Sequence, residues 1–360
     1  MRHLSHIHEH IKTINPYQLG RSTGDLATDL GIGIEAVVRL AANENALGTS
    51  PKVQKVIQDY AKDCLRYPEV SVLQRILGNY NNVDPLRIIP GNGSCEILEL
   101  TAQTFLGPGL QSVYPLYSFV MYKLATQYVG AQGIAIAPRT DFTDDLESML
   151  AAITPQTRVM WLSNVANPTG SYIPYTAIKQ FITAVPNNII VLLDEAYAEY
   201  LPDEKRLDTT DWSNEFPNLI ITRTFSKIYG LAGLRVGYGI ASLELADYIN
   251  RLRGPYNCNG LAIAAVTAAL EDQDFVEKSR AFNVVGRQQL IEGFRRLGLS
   301  YIEPAGNFVA VKVGNARETA GKLMQKGIVV LPLHGYELPE YIRVTVGHEA
   351  ENRALLDALS

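Results

Sequence analysis

Short apolar runs alternate with longer stretches in which apolar positions recur at helical spacing over residues 50–253. The short runs predict strands at 86–89, 158–162, 188–193, 219–222 and 235–240, and the longer stretches predict helices at 94–105, 117–128, 174–184 and 243–253. Runs such as IIVLL have no polar face, which is typical of strands covered by helices on both sides. The alternation therefore predicts an α/β fold with a mostly parallel central sheet between layers of helices.

The pattern changes near residues 254–255, and a smaller unit is expected to follow. Helical patterns at 260–270 and 274–297 precede strands at 308–313, 328–331 and 341–346, with helices at 315–326 and at the C-terminus. We therefore predict three parts. They are an N-terminal arm at 1–35 that associates with the small domain, a large domain at 36–254, and a small α+β domain at 255–360.

Composition limits the classes of function. The 360 residues hold 32 Lys and Arg against 37 Asp and Glu, so neither nucleic acid nor a membrane surface is expected as a partner. The three cysteines (Cys64, Cys95 and Cys258) form no C-x-x-C pair, which favours a reducing compartment and argues against a zinc site. Because no apolar signal segment is visible near the N-terminus, a cytoplasmic protein is expected.

The predicted arm is rich in histidine. His3, His6, His8 and His10 are four of the six histidines in the chain. A histidine-rich tract can bind metal. A solvated terminus is the commoner explanation, and no metal site is predicted.

Asp194 follows directly after the most apolar predicted strand. A carboxylate is costly to bury alone, so it needs a cation or several hydrogen-bond donors. In a parallel sheet, ligands bind beyond the carboxyl ends of the strands. Asp194 is therefore either an acid that contacts a ligand or the N-cap of a following helix.

A second strand end carries cations and hydroxyl groups. The segment TRTFSKIYGLAGLRVGYG contains Arg223, Thr224, Ser226, Lys227 and Arg235. An amine that is partly desolvated near other cations has a lowered pKa and can attack a carbonyl. The segment therefore predicts an anion site beside a nucleophilic lysine, and an ordinary solvated loop is the alternative.

Two further turns point to the same edge of the sheet. In PGNGSCE, Gly91 and Gly93 allow a tight turn, and Ser94 is predicted to cap the helix whose free N–H groups face a phosphate. The turn N-P-T-G places Asn167 after the strand at 158–162. Four strand ends thus supply a lysine, an aspartate, an asparagine and a phosphate cradle.

This combination resembles the fold-type I pyridoxal-phosphate aminotransferases over nearly the whole chain. The sequence is most similar to the histidinol-phosphate aminotransferase family. The motifs that carry this similarity, in family order, are INPYQLGR, AANENALGTSP, LRYPE, PGNGSCEILEL, SFVMY, NPTG, DEAYAEY, RTFSKIYGLAGLRVGYG and YIRVTVGHEAEN. The resemblance implies the fold-type I transferase architecture, with pyridoxal phosphate as the cofactor.

The resemblance implies a role for each residue around the cofactor ring. Lys227 would hold the cofactor covalently and, once released, would move a proton between substrate and cofactor. Asp194 would pair with the pyridine nitrogen and keep it protonated. Tyr197 and Asn167 would bind the phenolic oxygen, and Phe119 would stack on the ring.

The resemblance also implies contacts to the phosphate and the substrate. The phosphate would be held by Ser94, the N–H of Cys95, Thr224, Ser226, Arg235 and, from a neighbouring subunit, Tyr67. A homodimer with shared active sites is therefore expected. Arg343 would anchor a carboxylate or phosphate of the substrate, and Tyr17 and Asn45 would line the substrate side. Ordinary packing is the alternative for Tyr17 and Tyr67.

Two departures from the family pattern concern the cofactor side. Cys95 stands where the family often has an acidic or amide residue, although backbone donors can suffice there. Val165 and Ala166 replace an Asn/Pro-rich turn before N-P-T-G. Tyr117 lies close enough in sequence to Phe119 to be an alternative stacking aromatic.

A third departure concerns the substrate. Leu331 stands before a proline where the family usually has a second arginine. If that arginine binds a substrate phosphate, a contact of about 1.5–3 kcal/mol is missing here or is supplied by another residue. His334 is a candidate replacement, and a surface histidine is the equal alternative.

The resemblance implies a ping-pong aminotransferase of histidine biosynthesis. It would act on L-glutamate and imidazole-acetol phosphate, giving L-histidinol phosphate and 2-oxoglutarate. Leu331 keeps open an aminotransferase for aromatic or other amino acids without phosphate, and a pyridoxal-phosphate decarboxylase on the same scaffold is a further alternative. A nucleotide-binding protein, suggested by Gly91 and Gly93, lacks G-x-G-x-x-G and leaves Lys227 and Asp194 unexplained.

Overall fold

A computed structural model describes residues 6–15, 22–62 and 64–360. The strands in these ranges are β1 (Val38–Leu40), β2 (Ile88–Gly91), β3 (Gln111–Pro115), β4 (Gln132–Ile136), β5 (Thr157–Ser163), β6 (Ile190–Asp194), β7 (Leu219–Thr224), β8 (Gly237–Ile240), β9 (Phe308–Lys312), β10 (Ile328–Pro332) and β11 (Tyr341–Thr345). The α-helices there are α1 (Glu9–Lys12), α2 (Thr23–Leu30), α3 (Pro51–Tyr60), α4 (Val70–Asn81), α5 (Ser94–Phe105), α6 (Val120–Tyr128), α7 (Leu146–Ala151), α8 (Tyr175–Ala184), α9 (Trp212–Glu215), α10 (Leu243–Asn250), α11 (Gly260–Glu271), α12 (Gln273–Arg296), α13 (Ala316–Gln325) and α14 (Glu349–Leu359).

Seven strands form the central sheet in the order β2-β8-β7-β6-β5-β3-β4. All pairs from β7 to β4 are parallel, and β8 runs antiparallel to both of its neighbours. The predicted α/β fold with a mostly parallel sheet is therefore confirmed. Strands β3 and β4 were not predicted, because their sequences QSVYP and QGIAI are short and mix polar with apolar residues.

Strand β6 shows why the sheet is covered on both faces. Successive side chains of a strand point to opposite faces. Val191 and Leu193 belong to one buried apolar cluster, whereas Ile190 and Leu192 belong to a second cluster on the other face. Burying such a side chain stabilises the fold by about 1.5–3 kcal/mol, so a polar residue at any of these four positions would be destabilising.

A second sheet has the order β1-β10-β11-β9 and packs with α13, α14 and the C-terminal half of α12. This sheet and these helices are the small unit, and the central sheet with its helices is the large unit. Strand β1 joins it by pairing Val38 with Ile328 in β10, although residue 38 falls within the range predicted for the large domain. Conversely, α11 packs with α3 and α4 in the large core, although residues 255–271 were predicted to lie in the small domain. The glycine and proline at 254–255 mark only a turn, because long-range packing decides domain membership.

The described part of the N-terminal arm contacts both units. In α2, Leu26 and Ala27 pack with Met324 and Val329 of the small unit. Residues 1–5 and 16–21, which include His3 and Tyr17, lie outside the described residues. Within the described ranges, no group of three metal-binding side chains is found, and no helix is long and apolar enough to cross a membrane.

The register of the central sheet brings the predicted functional segments to one edge. Ser163 pairs with Asp194, and Asp194 pairs with Thr222, at the carboxyl ends of parallel strands. At the same edge, Gly237 is paired with both Thr224 and Gly91. The turns that follow β2, β5, β6 and β7 therefore lie close together at this edge of the sheet.

Candidate active site

A cavity of about 150 Å³ lies at this edge of the sheet. Ten predicted site residues line it: Ser94, Cys95, Phe119, Asn167, Asp194, Tyr197, Thr224, Ser226, Lys227 and Arg235. Tyr122, Ser163, Val165, Ala196 and Ala232 complete the lining. The sequence motifs, which are far apart along the chain, therefore form one site.

Asp194 is buried on the cavity wall, with 4% of its surface exposed. Its carboxylate accepts hydrogen bonds from the Tyr122 hydroxyl (3.0 Å), the Thr222 hydroxyl (3.1 Å) and the Ala196 N–H (3.2 Å). Burial raises the pKa of Asp194 to about 6, against the lowering effect of these donors. Asp194 is not the N-cap of a helix, so this buried carboxylate is available to a cationic group in the cavity.

Lys227 reaches the cavity from the loop after β7. Its Nζ donates a hydrogen bond to the Ala42 carbonyl (3.1 Å) and lies 5.7 Å from the centre of the Tyr197 ring. Burial, and then the positive charge of Arg343, lower the pKa of Lys227 to about 8. A substantial fraction of the amine is therefore neutral, and nucleophilic, at mildly alkaline pH.

Arg223 does not join the predicted cluster of cations. Thr222 and Thr224 face the cavity side of β7, and Arg223 points to the opposite face because strand side chains alternate. Its guanidinium bonds to Glu195 (3.2 Å), Asp208 (3.1 Å) and Asn81 (2.9 Å). Among the described residues, the cations near the cavity are therefore Lys227, Arg235 and Arg343.

The start of α5 has the features of an anion cradle. Gly93, rather than the predicted Ser94, is the N-cap; its φ is 77°, and no side chain caps the helix. A Cβ at Gly93 would lie 2.5 Å from Nη2 of Arg235, and a Cβ at Gly237 would lie 2.5 Å from the Ser94 nitrogen. Only glycine therefore lets the guanidinium and the strand approach the uncapped N–H groups this closely.

Hydroxyl groups complete the cradle. Arg235 Nη1 lies 3.4 Å from the Ser226 hydroxyl, and the Thr224 hydroxyl accepts the Ser226 N–H at 3.1 Å. Cys95 lies in the first turn of α5, where burial, and then the charge of Asp194, raise the pKa of its thiol. Cys95 therefore contributes a neutral thiol and a backbone N–H to this side of the cavity.

Hydrogen bonds also hold Tyr197 and Arg343 in place. Tyr197 is buried and accepts a hydrogen bond from Asn43 Nδ2 (3.0 Å). Arg343 on β11 donates to Asn167 Oδ1 (2.5 Å) and to the Ala41 carbonyl (2.6 Å), and its Nε has no partner. A buried arginine with an unsatisfied N–H beside the cavity can bind a carboxylate or phosphate.

The two candidate stacking aromatics separate in the structure. Phe119 is the N-cap of α6, lines the cavity, and makes an edge contact with Tyr122 at 6.0 Å. Tyr117 packs on Phe142 at 6.2 Å and is not among the lining residues. Of these two aromatic residues, only Phe119 therefore faces the cavity.

Three predicted residues in the described part of the chain do not line the cavity. Arg343 lies behind the lining residue Asn167, to which it donates. Asn45 donates to the Ile228 carbonyl (2.7 Å) and the Ser279 hydroxyl (2.8 Å), so its amide holds two elements together instead of facing a substrate. Tyr67 is 77% exposed and stacks on Tyr256 at 4.5 Å. Tyr17 lies outside the described residues.

Sequence reasoning missed several residues that support the site. Tyr122 and Thr222 hold Asp194, and Asn43 holds Tyr197. Tyr122 stands in the motif SFVMY, and its polar tip on an apolar helix face was a second signal, since a buried tyrosine hydroxyl needs a partner. Asn43 has a positive φ of 54°, which asparagine tolerates better than most residues, but its long-range contacts have no local signature.

Comparisons with known proteins agree with this geometry. The family model "Aminotransferase class I and II" matches residues 35–359. The chain therefore belongs to the class I and II aminotransferases, and within them to the histidinol-phosphate aminotransferase family.

The relatives give this membership its detail. Histidinol-phosphate aminotransferase 1 of Dechloromonas aromatica is 45% identical over 350 residues, covering 97% of this chain and 96% of the relative. Histidinol-phosphate aminotransferase of Methylobacillus flagellatus is 46% identical over 351 residues, covering 97% and 95%. The solved histidinol-phosphate aminotransferase of Sinorhizobium meliloti, in complex with pyridoxal-5'-phosphate, is 28% identical with a TM-score of 0.89, covering 99% of this chain and 96% of that one. The predicted fold-type I architecture and family are thus confirmed.

Proposed function

We propose that this chain uses pyridoxal phosphate to transfer an amino group from L-glutamate to imidazole-acetol phosphate, giving L-histidinol phosphate and 2-oxoglutarate. The observation that carries the proposal is that the Lys227 amine and the buried Asp194 carboxylate line one cavity with an anion cradle. The names of relatives that are 45% and 46% identical over almost the whole chain support histidinol phosphate as one substrate.

The cradle suits the phosphate of the cofactor. Uncapped N–H groups at a helix N-terminus and the helix dipole both favour an anion. Ser94, the Cys95 N–H, Thr224, Ser226 and Arg235 surround this point, and a Cβ at Gly93 would clash with the Arg235 guanidinium. The residues present therefore fit a phosphate group.

The opposite end of the cavity suits the cofactor ring. Asp194 would bind the protonated pyridine nitrogen, Phe119 would cover one ring face, and Tyr197 with Asn167 would bind the phenolic oxygen. A charge pair about 4 Å apart is worth ~4 kcal/mol at an effective dielectric constant of ~20, against ~1 kcal/mol in water. Because Asp194 is buried, it can raise the pKa of the ring nitrogen by about three units.

Lys227 has two tasks in the proposed reaction. Bound pyridoxal phosphate would supply an aldehyde that condenses with amines and a ring that accepts electrons from the substrate. The lowered pKa of Lys227 makes its neutral, nucleophilic amine accessible near pH 8. Once a substrate amine replaces it, the same nitrogen can take a proton from the substrate Cα.

Arg343 is proposed to bind the anionic group of each substrate. Replacing Arg343 by alanine should raise KM for both the amino donor and the acceptor by roughly 10- to 150-fold, because a charge-assisted hydrogen bond of about 1.5–3 kcal/mol is lost. Steady-state kinetics at varied concentrations of both substrates measures this change. Arg343→Lys, which keeps the charge but not the two-pronged geometry, should give an intermediate KM. Unchanged KM values for both substrates would remove Arg343 from this role.

A second candidate function is transamination of an aromatic amino acid that carries no phosphate. Leu331 on β10 pairs with Arg343 on β11, and directly paired residues of antiparallel strands point to the same face. Leu331 packs in a cluster with Tyr117, Phe142 and Tyr341. This apolar surface beside the anion-binding arginine favours an aromatic side chain. His334, which is exposed, is the nearby candidate for binding a phosphate.

One panel of amino donors separates the two functions. Histidinol phosphate, histidinol, phenylalanine and glutamate are each mixed with the cofactor-loaded protein, and the loss of absorbance of the bound cofactor is followed. We expect kcat/KM for histidinol phosphate to exceed that for phenylalanine at least tenfold. No reaction with histidinol phosphate would reject the first function, and release of carbon dioxide would indicate a decarboxylase. If the second function holds, Leu331→Arg should shift preference toward the phosphorylated amine by roughly tenfold or more.

A homodimer with shared sites is part of the proposal. Tyr67 and Tyr256 form an exposed stacked pair, and Leu65 beside them is 86% exposed. Exposed aromatic and aliphatic side chains in one patch are typical of an interface. Tyr67 would then contact the phosphate of the neighbouring subunit, as the family resemblance implies. Sedimentation equilibrium should give twice the mass of the single chain.

A further inference from the structure

We propose that Asn43 is a positioning residue that orients the Tyr197 hydroxyl toward the cavity. This orientation depends on strand β11 of the small unit. The inference rests on the proposed function, because the phenolic oxygen that Tyr197 would bind belongs to pyridoxal phosphate. Asn43 lies outside every motif role assigned above, and it does not line the cavity itself.

Asn43 is completely buried between the two units. It follows β1, and its backbone has a positive φ of 54°. Its Nδ2 donates to the Tyr197 hydroxyl oxygen at 3.0 Å. A buried amide without partners is costly, so both the oxygen and the NH₂ group of the Asn43 side chain need hydrogen-bond partners.

The orientation of the amide follows from its contacts with Thr345. The Thr345 hydroxyl accepts the Asn43 backbone N–H at 2.9 Å and donates its own proton to Asn43 Oδ1 at 3.1 Å. The oxygen of the amide is thereby held toward β11, which leaves the NH₂ group toward Tyr197. Asn307, which precedes β9, adds a hydrogen bond to the Asn43 carbonyl at 3.1 Å.

This orientation decides which way the tyrosine proton points. An NH₂ group donates and cannot accept, so it occupies a lone pair of the Tyr197 oxygen and cannot take its proton. The Tyr197 ring lies against Phe308 at 5.2 Å and beneath the Lys227 amine. The hydroxyl proton therefore remains free to be donated into the cavity, where the phenolic oxygen would lie.

The contacts also link the two units. Thr345 and Asn307 belong to the small unit, whereas Tyr197 follows β6 of the large sheet. Asn43 follows β1, which lies in the same sheet as β11, so if the small unit moved away, Asn43 would move with it and its hydrogen bond to the Tyr197 hydroxyl would break. The hydrogen bond from Tyr197 to the cofactor would then be strongest only with the small unit docked.

The test is a pH titration of the absorbance of bound pyridoxal phosphate. A hydroxyl that donates to the phenolic oxygen of the cofactor stabilises the negative charge on that oxygen. It thereby lowers the pKa of the proton that the bound cofactor carries. Charged or titratable groups around Tyr197 are Arg343, Asp194, Cys95 and Lys227, all of which remain in the variants. We expect Tyr197→Phe and Asn43→Gly each to raise the pH at the midpoint of this absorbance change by about one unit.

Matched variants isolate the amide. Glycine accepts a positive φ, so Asn43→Gly removes the amide without backbone strain. Asn82 has a similar φ of 52° but is exposed, so Asn82→Gly should leave the midpoint unchanged. Thr345→Val, which removes only the hydroxyl that orients the amide, should shift the midpoint in the same direction by a smaller amount. Circular dichroism and melting of the cofactor-free variants check that they are folded.

A double variant distinguishes positioning from a general structural effect. If Asn43 acts through Tyr197, Asn43→Gly should add no further shift in the Tyr197→Phe background. A wild-type midpoint in Asn43→Gly, or shifts that add in the double variant, would overturn the inference while leaving the proposed function intact. Failure of the wild-type chain to bind pyridoxal phosphate would overturn both.

Discussion

Replacing Lys227 by alanine should lower kcat by at least about 10⁴-fold while leaving a protein that still binds pyridoxal phosphate. The variant lacks both the nucleophile that holds the cofactor and the base that moves the substrate proton, and base catalysis alone contributes typically 10²–10⁴-fold. The anion cradle and Asp194 remain, so cofactor should still be retained on dialysis. Single-turnover kinetics with glutamate measures the loss.

Two variants make the Lys227 result specific. Lys227→Arg keeps a positive charge, but the guanidinium does not lose its proton in proteins, so it should be as inactive as the alanine variant. Lys322→Ala removes an amine from a surface ion pair with Glu318 and should keep wild-type activity. Activity of Lys227→Arg within tenfold of wild type would show that charge, and not a reactive amine, is what the reaction needs at this position.

Replacing Asp194 by asparagine should lower kcat about 10³-fold. The neutral amide is nearly the same size, but it loses the charge pair of about 4 kcal/mol that would keep the ring nitrogen protonated. A barrier higher by that amount corresponds to about three factors of ten. Asp194→Glu keeps the charge and should retain more activity than the amide. An asparagine variant with wild-type kcat would exclude the ring-nitrogen contact.

Asp194 should also leave a signature in the stability of the cofactor-free protein. Its pKa is about 6 in the fold, whereas its ordinary value is 3.8, so the folded state holds this proton more tightly than the unfolded state does. Loss of the Asp194 proton therefore lowers the free energy of unfolding as pH rises from about 4 to 6, by about 3 kcal/mol in total. The Asp194→Asn variant lacks this effect. The free energy of unfolding of the variant minus that of wild type should therefore be larger at pH 7 than at pH 4. Urea unfolding at both pH values measures the difference, and a difference that does not change with pH would contradict it.

Elements with strong local patterns could be predicted from the sequence. The helix predicted at 94–105 is α5, and the strand predicted at 188–193 overlaps β6 (Ile190–Asp194). Strand β4 could not be predicted, because it lies at the sheet edge and its side chains are largely exposed. The helix predicted at 117–128 begins only at Val120, because residues 117–119 form the turn that brings Phe119 to the cavity.

The site was predictable where its residues stand at strand ends. Asp194, Lys227 and Asn167 follow apolar strands, and the register of the sheet then places them together. Asn45 belongs to a strong motif, yet its amide is used between Ile228 and Ser279. A motif indicates that a residue type is needed, but only packing across the chain decides whether the side chain faces the ligand.

Borohydride reduction of the wild-type protein loaded with pyridoxal phosphate tests the central claim most directly. Reduction makes the bond between the cofactor and an amine permanent, and peptide mass mapping then locates the modified residue. We predict one modified peptide, the one containing Lys227, with the mass of the reduced cofactor. Attachment at a different lysine, or no attachment to a chain that has bound the cofactor, would contradict the account.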